Sequence, residues 1–122
     1  MLLTPDQESI RDAVRVFAQE QLWPHAARWD REHVFPKEAH AGLAQLGAYG
    51  ICVPEQDGGA GLDYLTLAQV LEEIAAGDGG TSTAISVTNC PVNAILMRTA
   101  TRRRRSNGCS RWRRGRCWAL SA

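Results

Sequence analysis

The chain has 122 residues, with 14 basic and 13 acidic side chains and a formal net charge of +1 at pH 7. That length suits one small domain with a modest core, and no apolar run reaches the roughly 18 residues that a transmembrane helix needs. The N-terminus also lacks the basic segment of a signal peptide, so we expect a cytoplasmic protein.

Charge is segregated along the chain. Residues 1–98 contain six basic and all thirteen acidic side chains, net −7, whereas residues 99–122 contain eight Arg, two Trp and no acid. The arginines follow neither the helical nor the strand period of hydrophobicity. We therefore predict a folded domain over residues 1–98 and a disordered Arg-rich tail over residues 99–122.

Two further interpretations of the tail remain open. Clustered Arg neutralises phosphate and Trp stacks on bases, so the tail is a candidate for binding nucleic acid, although the missing periodicity disfavours a rigid reading surface. Alternatively, the tail is a coding sequence translated one base out of register. Back-translation of Arg113 to Ala122 in the neighbouring frame permits Ala-x-Gly-Glu-Met-Leu-Gly-Ala-Phe-Cys, an ordinary composition. On this hypothesis the chain is a truncated product of a gene that lost one base near codon 99.

The first predicted helix begins at Thr4, with Pro5 at the first helical position and Gln7 placed to close a capping box. Its apolar stripe consists of Ile10, Ala13, Val14, Phe17, Ala18 and Leu22. We expect Pro24 to interrupt or end this helix, because proline lacks the backbone N–H. Residues 25–32 can form a further helical stretch with Trp29 on its apolar side.

A helix that opens at Pro36 is predicted next, with Ala39, Leu43 and Leu46 directed inward and Gly47 as its stop. Residues 49–54 are short and apolar, which predicts an extended buried segment.

The glycine-dense segment over residues 55–62 predicts a loop. It fits neither the dinucleotide-binding fingerprint nor the P-loop pattern, and the carboxylates of Glu55, Asp57 and Asp63 would repel an anion. Turn formation is therefore favoured over phosphate binding.

Two more helices complete the domain. The earlier of these two helices has an apolar stripe of Leu67, Val70, Leu71 and Ile74, with Glu72 and Glu73 on the opposite side. After a break over residues 77–80, residues 81–98 predict a last helix that Pro91 should kink. Four or five amphipathic helices joined by short loops predict an all-α helical bundle.

No catalytic, cofactor-binding or metal-ligating residue is predicted from local patterns. Glu72 and Glu73 lie about 100° apart on a helix and cannot converge on one proton. Cys52 and Cys90 lack redox or metal spacing and are interpreted as small buried hydrophobic residues. Without the i, i+4 spacing of a metal-binding helix, the histidines are interpreted as surface groups, namely His25, His33 and His40.

The last helix interleaves small hydroxyl residues with small apolar residues from Thr81 to Cys90. Composition alone favours tight helix packing, because Ser and Thr hydroxyls bond back to helix carbonyls. The functional alternative is the wall of a pocket.

Several short motifs together resemble the N-terminal helical domain of the acyl-CoA dehydrogenase family. They are Asp30-Arg31-Glu32 with Phe35-Pro36, Leu46-Gly47 with Gly50-Ile51, Pro54-Glu55 with Gly58-Gly59-Ala60-Gly61-Leu62, and Glu72-Glu73 with Asp78. The resemblance covers residues 4–98, nearly the whole acidic segment, in the family's order. The back-translated tail is also similar to the next segment of that family's sequences.

The resemblance implies an FAD enzyme with an added β-domain and C-terminal helical domain, usually a tetramer. In such enzymes a Glu removes the acyl α-proton, the β-hydride passes to FAD, and electron-transfer flavoprotein reoxidises the cofactor. By analogy, the last helix of this domain walls the acyl chain, so the substrate-binding candidates are Thr83, Ser86, Val87 and Cys90.

Neither the flavin-contacting segment nor the domain that carries the catalytic Glu is found in this sequence. We therefore expect the chain alone to hold no FAD and to be catalytically incompetent. A helical protein-interaction domain that uses an exposed apolar stripe is a further alternative.

Overall fold

A computed structural model describes residues 3–101 and 103. Most of the predicted tail, including Cys109 and Cys117, lies outside the described residues. The prediction that the tail is disordered concerns those residues and stays a prediction. Within the described part, the regular elements are all helical, which confirms the all-α fold. No helix in that part is long and apolar enough to cross a membrane.

Helix α1 (Pro5–Phe17) and helix α2 (Trp23–Glu32) are joined by a π-helical turn, Ala18–Leu22. The predicted capping box is confirmed: the Gln7 backbone N–H donates to Thr4 Oγ1 at 3.3 Å, and the Thr4 N–H donates to Gln7 Oε1 at 3.0 Å. Pro24 does not end the helical run. It lies in the first turn of α2, the part of a helix that tolerates proline best.

Helix α3 (Lys37–Gln45) is followed by Gly47 in the left-handed region at φ 78°, which confirms the predicted stop. Ala39 and Leu43 are buried as predicted, but the prediction for Leu46 is wrong because its side chain is 47% exposed. The helix ends one residue earlier, so Leu46 belongs to the turn and leaves the apolar stripe.

The segment after α3 is buried but not extended, so that part of the prediction is wrong. A 3₁₀ turn, Ala48–Gly50, leads into further turns in which Ile51 and Val53 are 3% and 1% exposed. The following loop returns over this segment, and its backbone N–H groups at residues 60–62 donate to carbonyls at residues 50–53 over 2.8–2.9 Å. The chain thus satisfies its buried backbone groups by folding back on itself.

Helices α4 (Tyr64–Gly77) and α5 (Gly79–Val87) are each capped by an aspartate. Asp63 accepts from the Thr66 N–H at 2.9 Å, and Asp78 accepts from the Thr81 N–H at 2.7 Å. A π-helical turn, Thr88–Asn93, contains Pro91 and connects α5 to α6 (Ala94–Thr99). Proline therefore interrupts the α-helical pattern here without ending the helical run.

The core lies where α4 packs between α1 and α5, with the turns after α3 closing one end. Ala13 was predicted to face inward, but it is exposed. The buried hydrophobic cluster consists of Val14, Ala18, Leu22, Ala39, Leu43, Ala48, Ile51, Leu67, Val70, Ile74 and Ile85.

Candidate functional site

Helix α5 and the π turn after it separate two faces. The inner face is buried against the core and consists of Ser82, Ile85, Asn89 and Asn93. The outer face consists of Thr83, Ser86, Val87 and Cys90, the four substrate-binding candidates. Their i, i+3, i+4, i+7 spacing places them on one side of the helical run. The structure thus brings the four residues together, while their role in binding stays a prediction.

The outer face is accessible along its length. Thr83 and Cys90 are exposed, Val87 is 46% exposed and Ser86 is half-buried. The Thr83 hydroxyl donates to the Gly79 carbonyl at 2.9 Å, so it bonds back to its own helix. The interpretation of Cys90 as a buried hydrophobic residue is wrong, because its position one heptad after Thr83 turns its side chain to the outer side.

Asn89 attaches the inner face to the turns after α3. Its Nδ2 donates to the Ala48 carbonyl at 2.7 Å and to the Ile85 carbonyl at 3.0 Å, and its Oδ1 accepts from the Ile51 N–H at 3.0 Å. The side chain is 1% exposed, so each of these bonds is made away from water. Sequence reasoning missed this residue, although an Asn inside a helix is itself a signal, because Asn has low helix propensity.

Asn93, one turn further along, extends the same attachment. Its Nδ2 donates to the Tyr49 carbonyl at 2.9 Å, whereas its buried Oδ1 has no hydrogen-bond partner among the described residues. The two amides, four residues apart, hold residues 48–51 against the helix that presents the outer face.

His40 is not a surface group, so that interpretation is wrong for this histidine: its side chain is 1% exposed. Its Nδ1 is hydrogen-bonded to the Tyr49 hydroxyl, and its ring stacks on Phe35 with centroids 4.6 Å apart. Burial lowers the pKa of His40, with Asp78 opposing that effect, and burial raises the pKa of Tyr49. Burial thus favours the neutral form of both side chains, and the pair completes the packing of α3 beside the turns that follow it.

A separate cleft of about 330 Å³ lies between α1, the first π turn and α4. Arg15 and Glu73 form a two-pronged ion pair at its edge, with Nη2–Oε1 at 2.6 Å and Nε–Oε2 at 3.0 Å. The hydrogen bond and charge of Glu73 raise the pKa of Arg15. The lining residues are Arg15, Ala18, Gln19, Trp23, Glu73, Ala76 and Gly77.

The glycine loop forms a turn rather than an open cradle. Gly58 and Gly61 have φ values of 93° and 65°, as the predicted turn requires. A Cβ at Gly59 would lie 2.0 Å from the Val53 carbonyl oxygen, so the loop backbone packs directly on the preceding turn. Among residues 3–101 and 103, no group of three or more His, Cys, Asp or Glu side chains is arranged to hold a metal ion.

Comparison with known proteins identifies the class that this helical domain defines. Residues 4–113 match the sequence model of the acyl-CoA dehydrogenase N-terminal domain, and the chain belongs to that family. Short-chain specific acyl-CoA dehydrogenase of Rattus norvegicus is 40% identical over 71% of this chain and 21% of its own length. The Bos taurus protein of that name is 33% identical over 98% of this chain and 30% of its own length.

Solved structures agree with this assignment. A chain from the structure described as the electron transferring flavoprotein of Acidaminococcus fermentans matches with a TM-score of 0.87 and 28% identity, over 95% of this chain and 30% of that one. Butyryl-CoA dehydrogenase from Megasphaera elsdenii shares the fold, with a TM-score of 0.84 over 94% of this chain and 31% of that one, at 24% identity.

This chain spans about a fifth to a third of the length of the relatives and structures named above. The family match also continues past Arg98 to residue 113. The domain boundary after Arg98 stays a prediction, and the frame shift near codon 99 stays a hypothesis.

Proposed function

We propose that this chain supplies the N-terminal helical domain of an FAD-dependent acyl-CoA dehydrogenase, and that its outer face walls the acyl chain of the substrate. The reaction class is α,β-dehydrogenation of acyl-CoA thioesters. One observation carries the proposal: the four candidates Thr83, Ser86, Val87 and Cys90 form a continuous accessible face within a domain that matches this family over residues 4–113.

The chemistry of the outer face suits an acyl chain. The face carries a half-exposed valine, a thiol and two hydroxyl side chains. These small groups leave shallow space and place no charge beside the acyl chain. The Thr83 hydroxyl is satisfied within its own helix, so it offers its methyl group at little cost. The inner face is fixed to the core through Asn89, which holds the outer face rigid for a ligand.

The described residues do not by themselves fit an FAD site. Ligand sites are concave and bury most of their ligand, whereas the outer face is a single exposed helix surface. The cleft of about 330 Å³ is at the lower end of ligand-pocket sizes and already has its Arg15 and Glu73 charges paired. We therefore propose that FAD binding, and the carboxylate that accepts the α-proton, require parts of an enzyme other than these residues.

FAD supplies the redox chemistry of such an enzyme when it is bound, and the protein supplies binding and orientation. We further propose electron-transfer flavoprotein as the electron acceptor and a tetramer as the assembled form, as in the family. The chain by itself is proposed to be inactive, with neither FAD nor acyl-CoA oxidation.

A chimeric enzyme tests this proposal. Residues 4–98 of this chain replace the matching segment of the rat short-chain specific enzyme, and FAD content and butyryl-CoA oxidation are measured. The proposal predicts stoichiometric flavin absorbance and oxidation of butyryl-CoA by the chimera, and neither property in the isolated 122-residue chain. A chimera that holds FAD but does not bind butyryl-CoA would contradict the role of the outer face.

The isolated chain provides the second arm. Purified 122-residue protein with a stoichiometric flavin band would contradict the proposal that it cannot hold FAD alone. Sequencing the gene around codons 97–125 is a separate test of the frame-shift hypothesis. The hypothesis is refuted if no other reading frame continues into a flavin-binding domain.

A further inference from the structure

Packing of the turns after α3 against the π turn that follows α5 brings the segments that carry two cysteines side by side. The Ile51 N–H donates to Asn89 Oδ1 at 3.0 Å, and Ile51 and Asn89 directly precede Cys52 and Cys90. A second bond, from Asn89 Nδ2 to the Ala48 carbonyl at 2.7 Å, fixes the same two segments of chain together. The cysteines are 38 residues apart in sequence, as are the residues that precede them.

Both thiols are free, and they differ in exposure. Cys90 is exposed and Cys52 is half-buried, packed at the edge of the hydrophobic cluster. Burial raises the pKa of the Cys52 thiol, and the nearby Cys90 and Asp63 raise it further.

We propose that Cys52 and Cys90 form a dithiol site that a low-molecular-weight disulfide, such as glutathione disulfide, oxidises to an intramolecular disulfide. A protein disulfide requires Cβ atoms about 3.8 Å apart, so it forms most readily between cysteines on segments that the fold holds side by side. The Asn89 bridge holds the two segments that carry these cysteines side by side, independently of the proposed dehydrogenase function. The disulfide then requires Cys90 to turn from the outer face towards Cys52.

The order of reaction is set by exposure. The Cys90 thiolate attacks one sulfur of glutathione disulfide, its S–H proton is lost to solvent, and one glutathione thiolate leaves. The Cys52 thiolate then attacks the Cys90 sulfur of this mixed disulfide and releases the second glutathione. Two protein thiols are oxidised and one glutathione disulfide is reduced to two glutathione thiols, which take up the two released protons.

The bond would covalently join the turns after α3 to the π turn that follows α5. It would also draw the side chain of Cys90 away from the outer face towards Cys52. Oxidation would thereby alter the end of the outer face while the rest of it, from Thr83 to Val87, is unchanged.

Thiol mapping of the full chain tests the site. The C109S/C117S variant, which keeps only Cys52 and Cys90, is incubated with glutathione disulfide in native buffer and, in parallel, in concentrated urea. We expect the native monomer to lose two hydrogen atoms in mass and both alkylatable thiols. In the unsubstituted chain, non-reducing peptide mapping should recover the Cys52–Cys90 linked peptide.

Two single substitutions complete the design. Cys52→Ser should leave Cys90 as a stable glutathione mixed disulfide, and Cys90→Ser should leave Cys52 largely unmodified. Equal yields of the intramolecular disulfide in native buffer and in urea would overturn the proposal. So would a native protein in which Cys90 carries glutathione while Cys52 remains alkylatable.

Discussion

The backbone N–H of Ile51 donates to the side-chain Oδ1 of Asn89 at 3.0 Å, and both residues are buried. This bond joins the turns after α3 to the helix that carries the outer face. The same amide donates to the Ala48 carbonyl, so one side chain satisfies a donor and an acceptor of the facing backbone. The position of the outer face depends on this attachment.

Replacement of Asn89 by Leu should therefore destabilise the domain strongly. Leucine has a similar size but leaves the Ile51 N–H and the Ala48 carbonyl buried without partners, and each such group costs about 1–3 kcal/mol. Urea unfolding followed by circular dichroism measures the loss in free energy of unfolding. The control is Thr99→Ala, which removes an exposed hydroxyl bond to the Ile95 carbonyl and should change stability by no more than about 0.5 kcal/mol. Equal stability of the two variants would contradict the assigned role of Asn89.

Two glycines provide a matched test of the loop. Gly59→Ala would place a Cβ 2.0 Å from the Val53 carbonyl oxygen, whereas a Cβ at Gly79 meets no atom within 4 Å. Gly59→Ala should lower the free energy of unfolding by about 1–3 kcal/mol, because the backbone must shift. Gly79→Ala should raise it by about 0.4–1 kcal/mol through reduced freedom of the unfolded chain. Thermal and urea unfolding report both values, and changes of the same sign would refute the packing of Gly59 on Val53.

His40 should make stability dependent on pH. Because burial lowers the pKa of His40 in the folded state, the unfolded chain binds the proton more readily. The contribution of neutral His40 to the free energy of unfolding is fully present above the pKa of histidine in the unfolded chain, about 6.5. It is lost as the pH falls from that value towards the lower pKa of His40 in the folded state.

The urea midpoint of the unsubstituted chain should therefore fall on acidification below about pH 6.5. His40→Gln should flatten that fall, while His33→Gln, at an exposed position, should retain it because His40 is still present. If the urea midpoint of His40→Gln still falls on acidification, the pH dependence of stability belongs to another titratable group.

Val87 provides the functional test of the outer face, on the basis of the proposed function. In the chimeric enzyme, Val87→Trp should raise KM for butyryl-CoA with FAD content unchanged, because an indole fills space that the acyl chain needs. Val16→Trp is the matched control, since Val16 on α1 is 51% exposed and Val87 is 46% exposed. Steady-state kinetics with both variants measure the effect. Equal KM values would exclude Val87 from the acyl-chain wall.

Much of the fold was predictable from local patterns. The Thr4 capping box and the Gly47 stop are confirmed because each depends on residues within a few positions of one another. Residues 49–54 were predicted to be extended because a short apolar run has no periodicity that separates a strand from a buried turn. The loop that returns over them supplies their backbone hydrogen bonds, and no pattern within those six residues reveals it.

The sequence by itself determined the all-α class, the helix starts and stops, the glycine turn and, through its motifs, the resemblance to acyl-CoA dehydrogenases. Only the tertiary structure decided that His40 is buried beside Tyr49, that Asn89 bridges to Ile51, and that Cys90 faces outward. The physical reason is the range of the interactions. Caps and turns are stabilised within one or two helical turns, whereas the Ile51–Asn89 bond spans 38 residues and forms only once helices from distant segments have packed.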